Sequence, residues 1–305
     1  MSETGEATTA EQESVGEQQT QVVSVRGRNT EALIVGSEKG KAYEGLLRRP
    51  YEFTVLHPER KTGILILPAF GGHTAGIPLD LEGFAEKYDA TIVTSQHPTW
   101  TFSPEFAVAQ FEDLMEEQGF EDVVFVGPSL GGALGLEILR DYKEKDDLPF
   151  GVKALVTIGS PTCRADLKPG IRAKLKVAER LRPAIIQGLR LRRKPDKVVG
   201  YDATGAVQSD EEFHGQIARS IGLLRKPRKK GEYPDIPVFA LTLPTGRDQM
   251  VKDEARGRIK GLFPQSTFDT FDARTHSQKE YVRCADEIGS KVEGYLDGIL
   301  LTEEK

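Results

Sequence analysis

The chain is poor in cysteine, tryptophan and methionine, with two, one and three among 305 residues. Two cysteines, Cys163 and Cys284, are too few for a disulfide framework and suit a reducing compartment, so a cytoplasmic protein is expected. They also lack the paired spacing of a zinc site, and neither a metal nor an organic cofactor is expected. No apolar run reaches the roughly 18–20 residues needed to cross a bilayer. Residues 1–25 hold no Lys or Arg and no apolar h-region, so a secretory signal is not expected either. Positive charge is not in excess: 41 Lys and Arg face 47 Asp and Glu, for a net charge of −6. That balance excludes the basic footprint of a generic nucleic-acid binder.

What is present is a globular composition, 38% hydrophobic and 29% charged, long enough to bury a substantial core. Met1 to Gln21 is the exception. It is polar with five Glu, cannot bury enough apolar surface to offset its ordering entropy, and reads as a disordered acidic tail. Short β-type segments follow at Val22–Val25, Ala32–Val35 and Phe53–Leu56. Continuous apolar runs then appear at 63–67, 91–93, 123–126, 154–158 and 238–243, with a weaker one at 267–271. Such runs are expected of strands covered on both faces.

Helical patterns alternate with these runs. Ser103-Pro104 is an N-cap and N1 pair opening a helix that should end before Gly119, with Val108, Phe111 and Met115 on its apolar stripe. A second should run from Ser129 to about Tyr142. The last, from about Gln278 to Leu296, opens with Ser277-x-x-Glu280, a capping box. This alternation predicts βαβ units and a doubly wound, mostly parallel sheet. One interval breaks it. Between the strands near 158 and 238 lie helical patterns at 171–192 and after Ser209, predicting a helical insertion over the sheet's ligand-binding edge. The organisation expected is a tail (1–21), a first part of the core (22–163), a helical cap (164–232) and a second part of the core (233–305).

The residues that carry chemistry begin with Gly127-Pro128-Ser129-Leu130-Gly131, a G-x-S-x-G pattern between an apolar run and a helical pattern. Strand–turn–helix is the setting a nucleophile elbow requires, because flanking glycines let the turn close and push the Ser129 hydroxyl out of the sheet edge. A serine needs a base that a third group orients. Of the five histidines, His276 alone lies just after the last strand pattern and before the final capped helix. The C-terminal ends of parallel strands cluster, which returns it to the elbow's edge. Asp248 follows the 238–243 run in the same way and is the expected acid, with Asp272 as its rival. For an oxyanion hole, Leu130 opens a helix directly after the serine, and Phe70 precedes Gly71-Gly72 in the loop after the first long apolar run.

On these residues, and on the order Ser129, Asp248, His276, the chain from about 50 to 298 resembles the α/β-hydrolase fold family. The resemblance implies a Ser–His–acid triad and an insertion capping the pocket. Ser129 would be the nucleophile, His276 the general base and then acid, and Asp248 the group that fixes the imidazole tautomer. Pro128 stands where the family usually has His or an aromatic residue, and Pro68-Ala69 where it usually has His-Gly.

After the 91–93 run, His97, Trp100 and Phe102 should reach the same edge and contact substrate. From 161 to 232, 18 Lys and Arg outnumber 8 Asp and Glu, so a basic cap sits in an acidic chain and could meet an anionic surface. The reading is a serine hydrolase of carboxylic esters acting on a small-molecule acyl substrate. An acyltransferase or thioesterase on the same triad, or a non-catalytic binding protein of this fold, are the alternatives.

Overall fold

The structure is a computed structural model. It describes residues 20–25, 32, 51–67, 69, 79–95, 104–145, 150–177, 198–201, 207–209, 223–224 and 228–301. The strands are β1 (Thr20–Val25), β2 (Tyr51–Leu56), β3 (Thr62–Ile66), β4 (Ala90–Ser95), β5 (Asp122–Pro128), β6 (Gly151–Ile158), β7 (Val198–Tyr201), β8 (Val207–Ser209), β9 (Val238–Thr242) and β10 (Thr267–Thr270). The helices are α1 (Leu81–Tyr88), α2 (Pro104–Gln118), α3 (Leu130–Glu144), α4 (Glu254–Leu262), α5 (Gln278–Arg283) and α6 (Ala285–Leu300). Residues 169–177 are also helical.

Eight strands form one sheet in the order β1-β2-β4-β3-β5-β6-β9-β10. β1 and β2 pair antiparallel, as do β2 and β4, whereas every pairing from β4 to β10 is parallel. The order reverses after β3, since β4 lies on one side of it and β5 on the other. In parallel sheets this reversal opens a crevice at the strands' C-terminal ends.

Every apolar run of the sequence became one of these parallel strands, and the period-2 alternation within each explains the two cores. Leu65, Val93, Phe125, Leu155 and Ala240 face α2, α3 and α4. Their chain neighbours Ile64, Ile92, Val124, Val126, Val156 and Leu241 face α1, α5 and α6. Both faces are dry, so neither could tolerate the polar alternation of a half-exposed sheet. The stripe Val108, Phe111, Met115 on α2 is buried, and the Phe111 ring meets Phe53 edge-on at 5.3 Å. α2 ends as expected at Gly119, which takes φ 63°.

Several boundaries differ from expectation. β1 starts at Thr20, so the last two residues assigned to the tail pair in the sheet, opposite Leu56 and Val55. Residues 1–19 lie outside the described residues. Ala32, expected in a β segment, is helical, and 33–35 also fall outside. The final helix divides at Cys284, which caps both α5 and α6. Its capping box is half-formed. Ser277 accepts from the Glu280 N–H, but the Glu280 carboxylate turns to the Arg274 N–H and the Arg283 guanidinium instead.

Within the expected cap, residues 169–177 are helical and Ile171 and Leu175 pack on the core. Leu223 and Leu224 are buried in the same core. A short antiparallel hairpin, β7 with β8, was not expected there. The rest of 178–222 lies outside the described residues, as do residues 225–227. Among the described residues, no helix is long and apolar enough to cross a membrane.

Candidate active site

Ser129 sits where β5 turns directly into α3, at φ 48° and ψ −116°. Positive φ is costly for a residue with a Cβ and persists only where the surroundings enforce it. Here they do. The Ser129 N–H donates to the Ile158 carbonyl at 2.7 Å, anchoring the turn to β6. Gly127 and Gly132 then face one another so closely that a Cβ on Gly127 would lie 2.4 Å from the Gly132 nitrogen. A Cβ on Gly132 would in turn lie 2.3 Å from the Ser160 hydroxyl oxygen. Neither position admits another residue without moving backbone. Pro128 is tolerated because groups alternate along a parallel strand. Val126 and Ser129 bond β3's side and β6 respectively, so the donor Pro128 lacks would point to the β3 side, where the ladder ends at Leu67.

The strand ends bring three expected residues together. The Nε2 of His276 is 2.8 Å from the Ser129 Oγ, and its Nδ1 is 3.0 Å from Asp248 Oδ2. An ionised carboxylate only accepts, so Nδ1 carries the proton, Nε2 is left as the acceptor, and the Ser129 hydroxyl donates to it. Asp248 is buried. Its other oxygen accepts the Met250 and Val251 N–H groups, both at 2.8 Å. Burial acts to raise the Asp248 carboxyl, but the His276 bond and charge and these two backbone donors outweigh it. The group is held below the ordinary carboxylate range and stays ionised.

The rival acid has another partner. Asp272 is exposed and pairs with the Arg247 guanidinium, away from the imidazole. Leu130 opens α3, so its backbone N–H is among the first-turn donors the helix itself leaves unused, at the positive end of its dipole. Phe70, His97, Trp100 and Phe102 lie outside the described residues.

Three neighbours of His276 carried no motif signal. Gln249 Oε1 accepts the His276 backbone N–H at 3.3 Å. Tyr281, one turn into α5, brings its hydroxyl to 3.4 Å from Nδ1 and its ring edge-on to the imidazole at 5.5 Å. Gly159, at the end of β6, takes φ 59° and admits that hydroxyl. Only the general cue of a residue after a buried strand run pointed to Gly159, and nothing in the sequence pointed to Tyr281.

An open, mostly parallel α/β sheet with a strained serine turn at its C-terminal edge defines a class of protein, the α/β hydrolases. The chain belongs to the alpha/beta hydrolase family, whose model matches residues 45–281. Comparison with curated proteins gave no match. Among solved structures, a thermophilic esterase from Thermogutta terrifontis is similar at TM-score 0.56 and 14% identity, over 83% of this chain and 95% of that one. A carboxylesterase structure from Nitrososphaera gargenis matches at TM-score 0.55 and 14% identity, over 81% and 94%. An epoxide hydrolase from hot-environment metagenomes matches at TM-score 0.55 and 10% identity, over 81% and 95%. Identities this low speak to fold alone.

Proposed function

We propose that the protein is a serine hydrolase that cleaves carboxylic esters through an acyl-enzyme intermediate. The observation that carries this reading is the continuous hydrogen-bonded chain from Ser129 Oγ through His276 to Asp248, with the serine on a strained turn at the sheet's open edge. The Ser129 oxygen attacks the ester carbonyl carbon while its proton passes to His276 Nε2. The Leu130 N–H, with Phe70 as the second donor, stabilises the oxyanion. The C–O bond to the alcohol breaks as His276 returns the proton to the leaving oxygen. Water then attacks the acyl-enzyme, giving its proton to His276, and Ser129 is regenerated as the acid departs. Asp248 remains ionised throughout and holds the imidazole in the tautomer that accepts from serine. His97, Trp100 and Phe102 would line the acyl pocket, and the basic insertion would face the entering substrate.

The test is Ser129→Ala. Hydrolysis of short p-nitrophenyl esters and labelling by a fluorophosphonate should both fall to background, and a variant that still labels would remove the reading. An alcohol or thiol acceptor added to the wild-type assay distinguishes acyl transfer from hydrolysis by the product formed.

A further inference from the structure

Tyr281 is almost wholly enclosed, and among the described residues its hydroxyl meets the imidazole of His276. The hydroxyl lies 3.4 Å from His276 Nδ1, the nitrogen that already serves Asp248 Oδ2 at 3.0 Å. The ring packs edge-on to the imidazole at 5.5 Å and at a tilt to Phe271 at 5.4 Å. Two features of the fold make this approach possible. Ser277 caps α5 and fixes its first turn, which places Tyr281 beside the histidine that precedes the cap. On the other side β6 ends in Gly159, whose φ of 59° suits glycine and whose N–H is bonded to the Leu241 carbonyl at 2.8 Å. A Cβ there would sit 2.2 Å from the Tyr281 oxygen and 3.4 Å from His276 Cε1. The space that the hydroxyl occupies is therefore kept open by a residue from a different strand.

We propose that Tyr281 is a positioning residue for His276, its ring fixing the imidazole plane and its hydroxyl oxygen giving the Nδ1 proton a second acceptor beside Asp248. This rests on the reading of Ser129, His276 and Asp248 as a hydrolase relay and extends it. The role is electrostatic as well as steric. When His276 takes the serine proton it becomes a cation, and a neutral hydroxyl dipole in a dry site then strengthens its hold on Nδ1–H. Burial, and the nearby Asp248 charge, push the phenol far above its ordinary range. Tyr281 therefore stays protonated and cannot take over the proton transfer itself.

The experiment uses Tyr281→Phe, which keeps the ring, together with Gly159→Ala and the double variant, all in the full chain. Tyr281→Phe should lower kcat for p-nitrophenyl acetate about tenfold, the worth of one hydrogen bond to a charged group, with KM changed less than twofold. The low-field proton signal of His276 Nδ1–H, seen with 15N-histidine labelling, should shift in the same variant. Gly159→Ala should also lower kcat, because its methyl displaces the hydroxyl. The double variant should be no worse than Gly159→Ala alone, since removing the hydroxyl removes the clash. Unchanged kcat and an unchanged signal in Tyr281→Phe would overturn the proposal, as would losses that simply multiply in the double variant. A wild-type protein without esterase activity would remove the hydrolase reading, while the Nδ1–H signal would still decide whether Tyr281 holds His276.

Discussion

Two aspartates lie within reach of the loop that carries His276, and their surroundings separate them. Asp248 is buried, accepts two backbone N–H groups on one oxygen and faces His276 Nδ1 with the other. Asp272 is exposed and paired with Arg247. An amide at position 248 could still accept the two backbone donors. Its nitrogen, however, would present a donor where Nδ1–H also donates, driving the imidazole to the tautomer that cannot accept from serine. Asp248→Asn is therefore expected to lower kcat by about 10³–10⁴-fold with little loss of stability. Asp272→Asn should stay within a fewfold of wild type, because an exposed pair contributes little. Steady-state kinetics on a p-nitrophenyl ester check both, and equal losses in the two variants would mean that the acid has been misassigned.

At the scale of elements, the loop bearing Asp248 is held by the segment that follows β6. The Lys252 N–H donates to the Asp166 carbonyl at 2.7 Å, the Lys168 N–H donates to the Met250 carbonyl at 2.9 Å, and Leu167 forms a β-bridge with Val251. Asp166 is the knot. Wholly buried, it accepts from the Thr162 N–H and hydroxyl and the Cys163 N–H on one oxygen, and from the Arg258 guanidinium on the other. Asp166→Ala would strand two backbone donors, at about 1–3 kcal/mol each, and should destabilise the protein by about 3 kcal/mol. Arg258→Ala should cost less than that, because the Arg258 side chain is partly exposed and the Asp166 carboxylate keeps its three other donors. Urea unfolding distinguishes the two, and an Arg258 loss as large as that of Asp166 would place the energy in the ion pair instead of the backbone donors.

Ser129 and Asp248 were legible in the sequence because each follows a continuous apolar run, and His276 because it follows the weaker last strand pattern and precedes a capped helix; parallel strands gather such positions at one edge. β3, β5, β6 and β9 were legible for the same reason. α1 and α4 carried less signal. α4 buries only Ala255 and Ile259, too sparse a stripe to stand out, although Asp80 does cap α1 through its side chain. The Tyr281–Gly159 contact joins a helix to a distant strand end, and Tyr281 reads locally as one more apolar position of α5. Asp166 was hidden because a wholly buried carboxylate looks, in sequence, like any surface aspartate of a polar turn.

Across the whole molecule, the sheet stands between two dry cores, and burial on that scale reaches some ionisable groups as well. Three carboxyls are held below their ordinary range by partners and not by burial: Asp248, against its burial, by His276 and two backbone donors, Asp269 by Lys291, and Asp297 by Lys87. Each contributes stability above its unfolded pKa of 3.8 that disappears as pH falls through the folded value. Glu112 on α2 runs the other way. Its side chain is buried where α2 meets the end of α3, with Lys145 Nζ 2.5 Å away and Asp141 sharing that lysine at 2.8 Å. Burial and the Asp141 hydrogen bond outweigh Lys145 and push the carboxyl up to about 7 from 4.5. Between those values the folded protein holds a proton that the unfolded chain has released. This group's stability is therefore complete below pH 4.5 and is lost as pH rises through about 7, by an amount on the order of 3 kcal/mol. Glu112→Gln removes the titration. Chemical denaturation at pH 5 and pH 8 should show the variant gaining on the wild type between the two, by up to about 3 kcal/mol. Parallel stability profiles for variant and wild type would mean that Lys145 keeps Glu112 ionised across the whole range.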